Sequence, residues 1–216
     1  MILNSVEKKP EVLKGYNMLL YFAGTMILFD PSHECIHDFW KQGILKTLPV
    51  RSQNPRFILA ASLLRESVDN NTTSVERMRE DYLSLFTGNG SPLAPPYESV
   101  YRSNEHVMFD RQTEEVREFY RSYGWESRFK GTIPDDHLGV ELLFLTILLE
   151  KFLELDDYAC EVEMQNEIRR FIDNHIMSWI PRWNEDVTRH ANTIGYKGIS
   201  TLIYACVEDI YGLLGS

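Results

Sequence analysis

A chain of 216 residues is long enough to bury a substantial hydrophobic core, either as one large domain or as two smaller lobes. Its hydrophobic content of 44% and charged content of 25% are typical of a soluble globular protein. The net charge of −10 argues against non-specific binding to nucleic acid or to an anionic membrane, and it is compatible with a cationic partner.

The start of the chain and its cysteines predict a cytoplasmic protein. There is no positively charged beginning followed by an apolar stretch and a small-residue cleavage site. Segment 15–29 is apolar but interrupted and too short to span a bilayer, so we expect no stable membrane insertion. The three cysteines, Cys35, Cys160 and Cys206, are widely spaced without a CxxC motif, and we expect them to be core thiols.

The N-terminal half of the chain shows two clear helix starts. Asn54 followed by Pro55 combines a capping residue with a proline in the first turn. Thr73 and Glu76 form a predicted capping box for the next helix, which Gly88 ends. The predicted apolar face of the first helix is Phe57, Ala61, Leu64 and Val68. That of the second helix is Val75, Met78, Tyr82, Leu85 and Phe86.

Two loops interrupt the helical pattern. Residues 89–97, NGSPLAPPY, cannot be helical because Pro92, Pro95 and Pro96 lack backbone donors and fix φ. The three prolines and an aromatic ring restrict this segment, so we expect an ordered loop rather than a flexible linker. A second loop is expected at residues 125–136.

The helix predicted from about 137 to 154 is apolar on most sides, as expected of a central core helix. No alternating run of apolar and polar residues indicates a sheet. The predicted fold class is therefore all-α, a globular bundle of about nine or ten helices. The loop at 125–136 is expected to be a hinge between an N-terminal lobe, 1–124, and a C-terminal lobe, 137–216, with packing as one domain as the alternative.

A zinc-peptidase pattern occurs at residues 33–37, HECIH, which is literally H-E-x-x-H. On a helix, His33 and His37 would share a face and could bind one metal, with Glu34 polarising a water. However, His33 falls in the first turn after Ser32, and the sequence offers no obvious third ligand. We interpret the pattern as a solvated helix start whose core contacts are Cys35, Ile36, Phe39 and Trp40. We predict no metal, no cofactor and no catalytic residue, with a zinc-dependent peptidase as the alternative.

Two ordered segments carry a family resemblance. The run DYLSLFTGNGSPLAPPYESVYRS, residues 81–103, and the run IPDDHLGVELLFL, residues 133–145, resemble the paired signatures of the TorD/DmsD family. A third and weaker match is FIDNHIMSWIPRW, residues 171–183. Residues 1–70 carry no motif that matches. The resemblance implies a TorD-like all-α fold and a protein without catalytic activity on a small molecule.

Members of that family are cytoplasmic chaperones for molybdenum-containing redox enzymes. The resemblance therefore implies a partner, the twin-arginine leader and apo-form of a DMSO/TMAO-reductase-like catalytic subunit. It also implies that binding assists insertion of the molybdopterin cofactor and delays export until the subunit has folded. We expect a monomer or a homodimer formed by exchange of lobes through residues 125–136.

A twin-arginine leader offers two guanidinium groups followed by an apolar stretch, so its receptor needs carboxylates beside an apolar groove. The candidate guanidinium acceptors are Asp135, Asp136 and Glu98. His137 is expected to orient a carboxylate or to donate to the peptide backbone. The candidate apolar wall is Leu85, Phe86, Pro96, Tyr97 and Tyr101, and the matching segments add Ser99 and Pro134 as peptide-binding residues.

These residues also have purely structural interpretations. Either Asp135 or Asp136 is expected to cap the helix that follows, an effect of about 1 kcal/mol, which leaves the other free to face a ligand. Glu141 is expected to be an interior hydrogen-bond partner for the loop. Gly139 is expected to mark a close approach of another backbone. A helical scaffold that binds no leader is the remaining alternative.

Overall fold

The computed structural model describes residues 9–31, 34, 45, 47–69, 75–88, 91–102 and 111–215. Within these ranges all regular structure is helical, which confirms the all-α prediction. The nine α-helices of the described ranges are α1 (Lys9–Leu28), α2 (Pro55–Asp69), α3 (Val75–Tyr82), α4 (Glu98–Arg102), α5 (Arg111–Ser122), α6 (Leu138–Leu153), α7 (Tyr158–Phe171), α8 (Ile180–His190) and α9 (Ile194–Leu214).

Two of the α-helices continue directly into π-helical turns. Leu83–Thr87 extends α3, and Ile172–Ile176 extends α7. The first turn ends at Gly88, which has a φ of 34° and donates its N–H to Leu83 O. Gly88 therefore ends the helix as predicted, because glycine adopts a positive φ without a Cβ clash. The capping residue Thr73 lies outside the described ranges.

The helix α6 is the centre of the core. Its residues are buried on nearly all sides, as predicted, and it packs against α1 and α7. A Cβ atom on Gly139 would lie 2.9 Å from Gly24 O and 2.5 Å from Leu28 Cγ, so Gly139 marks a close backbone approach as predicted. Across the described ranges, no helix has both the length and the apolar character needed to cross a membrane.

Helices from both sides of residues 125–136 contribute to one core. The ring of Tyr120 on α5 lies 4.5 Å from that of Phe144 on α6, measured between centroids. Phe171 on α7 lies 5.0 Å from Phe144. The same residues 125–136 form no helix, in agreement with the predicted loop. The division into lobes at this loop, and lobe exchange, stay predictions.

The two described cysteines lie in different environments. Cys206 on α9 is fully buried, as predicted. Cys160 is exposed, so its prediction as a core thiol is wrong. It lies in the first turn of α7, where its N–H donates to the Oδ1 of the N-cap residue Asp157 at 3.0 Å. Cys35 lies outside the described residues.

Candidate functional site

The two loops singled out in the sequence meet in space. Tyr97 and His137 pair as an isolated antiparallel β-bridge, and their rings pack edge to face with centroids 5.1 Å apart. Leu138 N donates to Pro96 O at 2.8 Å beside this bridge. We call this contact the Tyr97–His137 junction. It joins the proline-rich segment to the start of α6.

The buried Asp136 stabilises the junction by accepting two hydrogen bonds. Its backbone oxygen accepts from Glu98 N at 3.0 Å, and its Oδ2 accepts from Ser99 N at 3.0 Å. The side chain is fully buried, and its Oδ1 has no hydrogen-bond partner among the described residues. Asp136 therefore satisfies the first N–H groups of α4, a helix distant in sequence, and not those of α6.

His137 is the residue that caps α6. Its Nδ1 accepts from Gly139 N at 3.0 Å, so the prediction that Asp135 or Asp136 caps this helix is wrong. Burial lowers the pKa of the His137 imidazole to about 3, which keeps the ring neutral and Nδ1 free to accept. An aspartate is the more usual cap, and this preference misdirected the sequence prediction.

Asp135 points the other way, towards α5. Its Oδ2 accepts from Arg117 Nε at 2.6 Å, and its backbone oxygen accepts from the Tyr120 hydroxyl at 2.9 Å. The Arg117 side chain is 29% exposed, and it also forms an ion pair with Glu114. The hydrogen bond to Asp135 is the main cause that raises the pKa of Arg117, so the guanidinium is charged at neutral pH.

An open cleft of about 320 Å³ lies beside this pair. Asp135 is thus a predicted acceptor carboxylate that is itself buried but lines the wall of a cleft, whereas Asp136 and Glu98 are fully buried and do not line it. Pro134, another predicted site residue, lines the same cleft. The residues that line it are Arg117, Arg121, Lys130, Gly131, Thr132, Ile133, Pro134 and Asp135.

A buried acidic cluster lies behind the junction. Glu98 forms an ion pair with Arg102, and its Oε2 lies 3.1 Å from His175 Nδ1. Glu141 is fully buried, and neither carboxylate oxygen has a hydrogen-bond partner among the described residues, so its prediction as a hydrogen-bond partner for the loop is wrong. Burial, followed by the Glu98 and Asp136 carboxylates, raises the pKa of Glu141 well above its usual range.

Most of the candidate apolar wall is packed inside the protein. Leu85, Phe86, Pro96 and Tyr101 are buried, and Tyr97 is half-buried. The Phe86 ring stacks on Trp183 with centroids 6.1 Å apart, and the Tyr101 ring stacks on Trp179 at 5.5 Å. In this structure these rings hold the third matching segment, 171–183, against the first. Whether they also contact a peptide stays a prediction.

Sequence reasoning missed two apolar side chains that are open to solvent. Leu83 is 44% exposed on the π-helical turn, and Leu93 is 46% exposed on the proline-rich segment. Leu93 N donates to Ser84 O at 3.1 Å, so the turn and the segment are joined. For Leu83, the only sequence signal was that this apolar residue lies off the predicted face of the helix. A π-helical turn changes the spacing that defines such a face.

The zinc pattern is not tested by the structure. His33 and His37 lie outside the described residues, and Glu34 is described alone. Elsewhere, in the part of the chain that is described, no group of three or more His, Cys, Asp or Glu side chains is arranged to hold a metal ion.

Known proteins resemble this chain over the region that contains the junction. Residues 55–185 match the family described as nitrate reductase delta subunit. The chaperone protein TorD of Vibrio parahaemolyticus is 29% identical over 68% of this chain and 68% of its own length. TorD of a Psychrobacter species is 25% identical over 60% of this chain and 55% of its length. The Tat proofreading chaperone DmsD of Salmonella typhi is 26% identical over 61% of this chain and 59% of its own length.

The match therefore spans between about half and two thirds of these relatives. They are named as chaperones and not as enzymes, which supports the prediction of a non-enzymatic protein. A solved structure from Archaeoglobus fulgidus, of a protein assigned to redox enzyme maturation, has a TM-score of 0.50 and 19% identity. The superposition covers 93% of this chain and 94% of the Archaeoglobus fulgidus chain, so the two proteins share a fold.

Proposed function

The chain belongs to the nitrate reductase delta subunit family, and from this premise we propose that it is a cytoplasmic chaperone for a molybdopterin-dependent oxidoreductase. In this proposal it binds the twin-arginine leader and the apo-form of a DMSO/TMAO-reductase-like catalytic subunit. Binding assists insertion of the cofactor and delays export until the subunit has folded. The names of the TorD and DmsD relatives support this function.

The observation that carries the proposal is the Tyr97–His137 junction. It brings the two family segments together and leaves Asp135 at the wall of an open cleft. A carboxylate is the acceptor that a guanidinium prefers, because two parallel N–H groups match its two oxygens. Asp135 is therefore the proposed acceptor for one leader arginine.

The apolar part of the leader needs a surface that is accessible before binding. Leu83 and Leu93 fit this need because both are exposed and their segments are hydrogen-bonded together. A leader that contacts them would bury apolar area worth about 25 cal/mol per Å². We propose that this pair, rather than the buried Phe86 and Tyr101, makes the first apolar contact.

A chaperone that releases its client needs moderate affinity. We propose a dissociation constant near micromolar, about −8 kcal/mol. Because the chain carries a net charge of −10 and the leader is cationic, salt should weaken the association. Calorimetry with a synthetic leader peptide at low and moderate salt measures both quantities. Absence of binding at high micromolar peptide would count against the proposal.

The client itself can be identified by affinity purification of the chain from its native cell, with mass spectrometry of the co-purifying proteins. Recovery of a molybdopterin oxidoreductase precursor with its leader attached is the expected result. Recovery of the mature enzyme alone would contradict a role before export.

A further inference from the structure

Two of the predicted guanidinium acceptors already hold a guanidinium of this chain. Asp135 is bound by Arg117, and Glu98 is bound by Arg102. An arginine from a ligand would have to find a second site on the same carboxylate or displace the internal arginine. The surroundings of the two pairs decide which pair can exchange.

The Glu98 pair is built into the fold. Its carboxylate is fully buried and is also held by His175 at 3.1 Å, while Arg102 donates to Asn174 O at 2.7 Å. Displacing Arg102 would break several contacts behind the junction and would expose a buried charge. A buried pair of this kind is costly to open.

The Asp135 pair is different because it lies at a cleft. Its Oδ2 is bound by Arg117 at 2.6 Å, and both residues line the opening of about 320 Å³. Arg117 also has a second partner, the exposed Glu114, which is 62% exposed. A displaced Arg117 therefore keeps a charged partner, and its guanidinium gains solvent.

We propose that Arg117 is an internal competitor of the leader, whose guanidinium occupies Asp135 in the free protein and is displaced when a ligand arginine enters the cleft. This inference rests on the proposed function. The exchange replaces one charge-assisted hydrogen bond by another of the same type, so the net gain is small. The cleft thereby selects a guanidinium while the affinity stays low enough for release.

The test compares Arg117→Gln with Arg111→Gln in the full chain. Arg111 lies on the same helix and forms an exposed pair with Glu115, so the control removes the same charge and an ion pair of similar geometry. The probe is a synthetic peptide with two adjacent arginines followed by leucines and alanines. Its twin-lysine counterpart reports on charge alone.

Calorimetry should give Arg117→Gln about fivefold tighter binding of the twin-arginine peptide, which equals about 1 kcal/mol. Arg111→Gln should bind as the wild type does. Arg117→Lys, which retains the charge, should return the affinity towards the wild-type value. Tighter binding in both glutamine variants would show a general charge effect and would overturn the competitor role, as would no change in Arg117→Gln.

Failure of the proposed function has a different outcome. If the wild type and Arg117→Gln both fail to bind the peptide, the leader-binding function itself fails and the competitor role falls with it. A measurement on the wild type covers the case in which Arg117→Gln does not fold. The Nε–H resonance of Arg117 should move when the peptide is added, and an unmoved resonance in a saturated complex would show that Arg117 is not displaced.

Discussion

His175 and Glu98 are joined across 77 residues of sequence by a distance of 3.1 Å between His175 Nδ1 and Glu98 Oε2, and both side chains are buried. The π-helical turn Ile172–Ile176 carries His175, whereas Glu98 begins α4. The contact therefore fastens the end of α7 to the segment that enters the Tyr97–His137 junction. Loss of this contact should therefore destabilise the packing of α7 against the Tyr97–His137 junction.

We expect His175→Ala to lower the free energy of unfolding by about 3 kcal/mol, because it leaves a buried carboxylate oxygen without its partner. His190→Ala at the end of α8 is the matched control, since His190 is only half-buried. That control should change the free energy of unfolding by less than about 1 kcal/mol. Urea denaturation measures both, and equal losses would show that the contact with Glu98 adds no stability.

The close approach of α1 and α6 gives a second prediction. Gly139→Ala places a Cβ 2.9 Å from Gly24 O, which is backbone and cannot rotate away. We expect a loss of about 1–3 kcal/mol from overpacking. Gly212→Ala on α9 has no atom within 4 Å of the added Cβ and should gain about 0.5–1 kcal/mol from helix propensity. Thermal unfolding of both variants measures the contrast, and a neutral Gly139→Ala would contradict tight packing of α1 on α6.

Much of this fold could be predicted because its physical cause is local. The apolar spacing predicted the helical class, the Asn54-Pro55 pair predicted the start of α2, and the prolines predicted the loop before α4. The placement of Tyr97 and His137 in one candidate site rested on the family resemblance, since no local pattern pairs residues 40 apart.

The details of the site depend on tertiary contacts, which local patterns do not contain. The partner of Asp135 is Arg117, 18 residues earlier, and the N–H that Asp136 caps is that of Ser99, 37 residues earlier. The two π-helical turns also lack a spacing signature, so the exposure of Leu83 was missed. In each case the outcome was decided by which segment packs nearby.

We expect Asp136 to contribute mainly to stability and its neighbour Asp135 mainly to peptide binding. Asp136→Ala removes the acceptor of Ser99 N and should lower the free energy of unfolding by about 1–2 kcal/mol. Asp135→Ala leaves Arg117 with Glu114, so it should change stability less and weaken binding of a twin-arginine peptide more. Urea denaturation and calorimetry on both variants provide the comparison. Equal loss of binding at unchanged stability would show that Asp136 also contacts the ligand.

Glu141 is expected to make the protein less stable as the pH rises. The pKa of this carboxyl is raised above 4.5 in the folded state, mainly by burial, so above pH 4.5 the folded chain holds a proton that the unfolded chain has lost. The free energy of unfolding therefore decreases with pH until the folded pKa is reached. Glu141→Gln removes this titration and should exceed the wild type in stability by an amount that grows as the pH rises above 4.5. A difference that stays constant with pH would contradict a raised pKa of Glu141.

We expect the titration of His137 to contribute to the loss of stability at acidic pH. Burial lowers the pKa of its imidazole from 6.5 to about 3, so between these values the unfolded chain binds a proton that the folded chain does not. The free energy of unfolding therefore falls as the pH falls from 6.5 towards 3, with a limiting slope of about 1.4 kcal/mol per pH unit. His137→Asn keeps an acceptor for Gly139 N and removes the titration. Urea denaturation at about pH 4.5 and about pH 7 should show a larger drop for the wild type, and equal drops would assign the acid sensitivity to other groups.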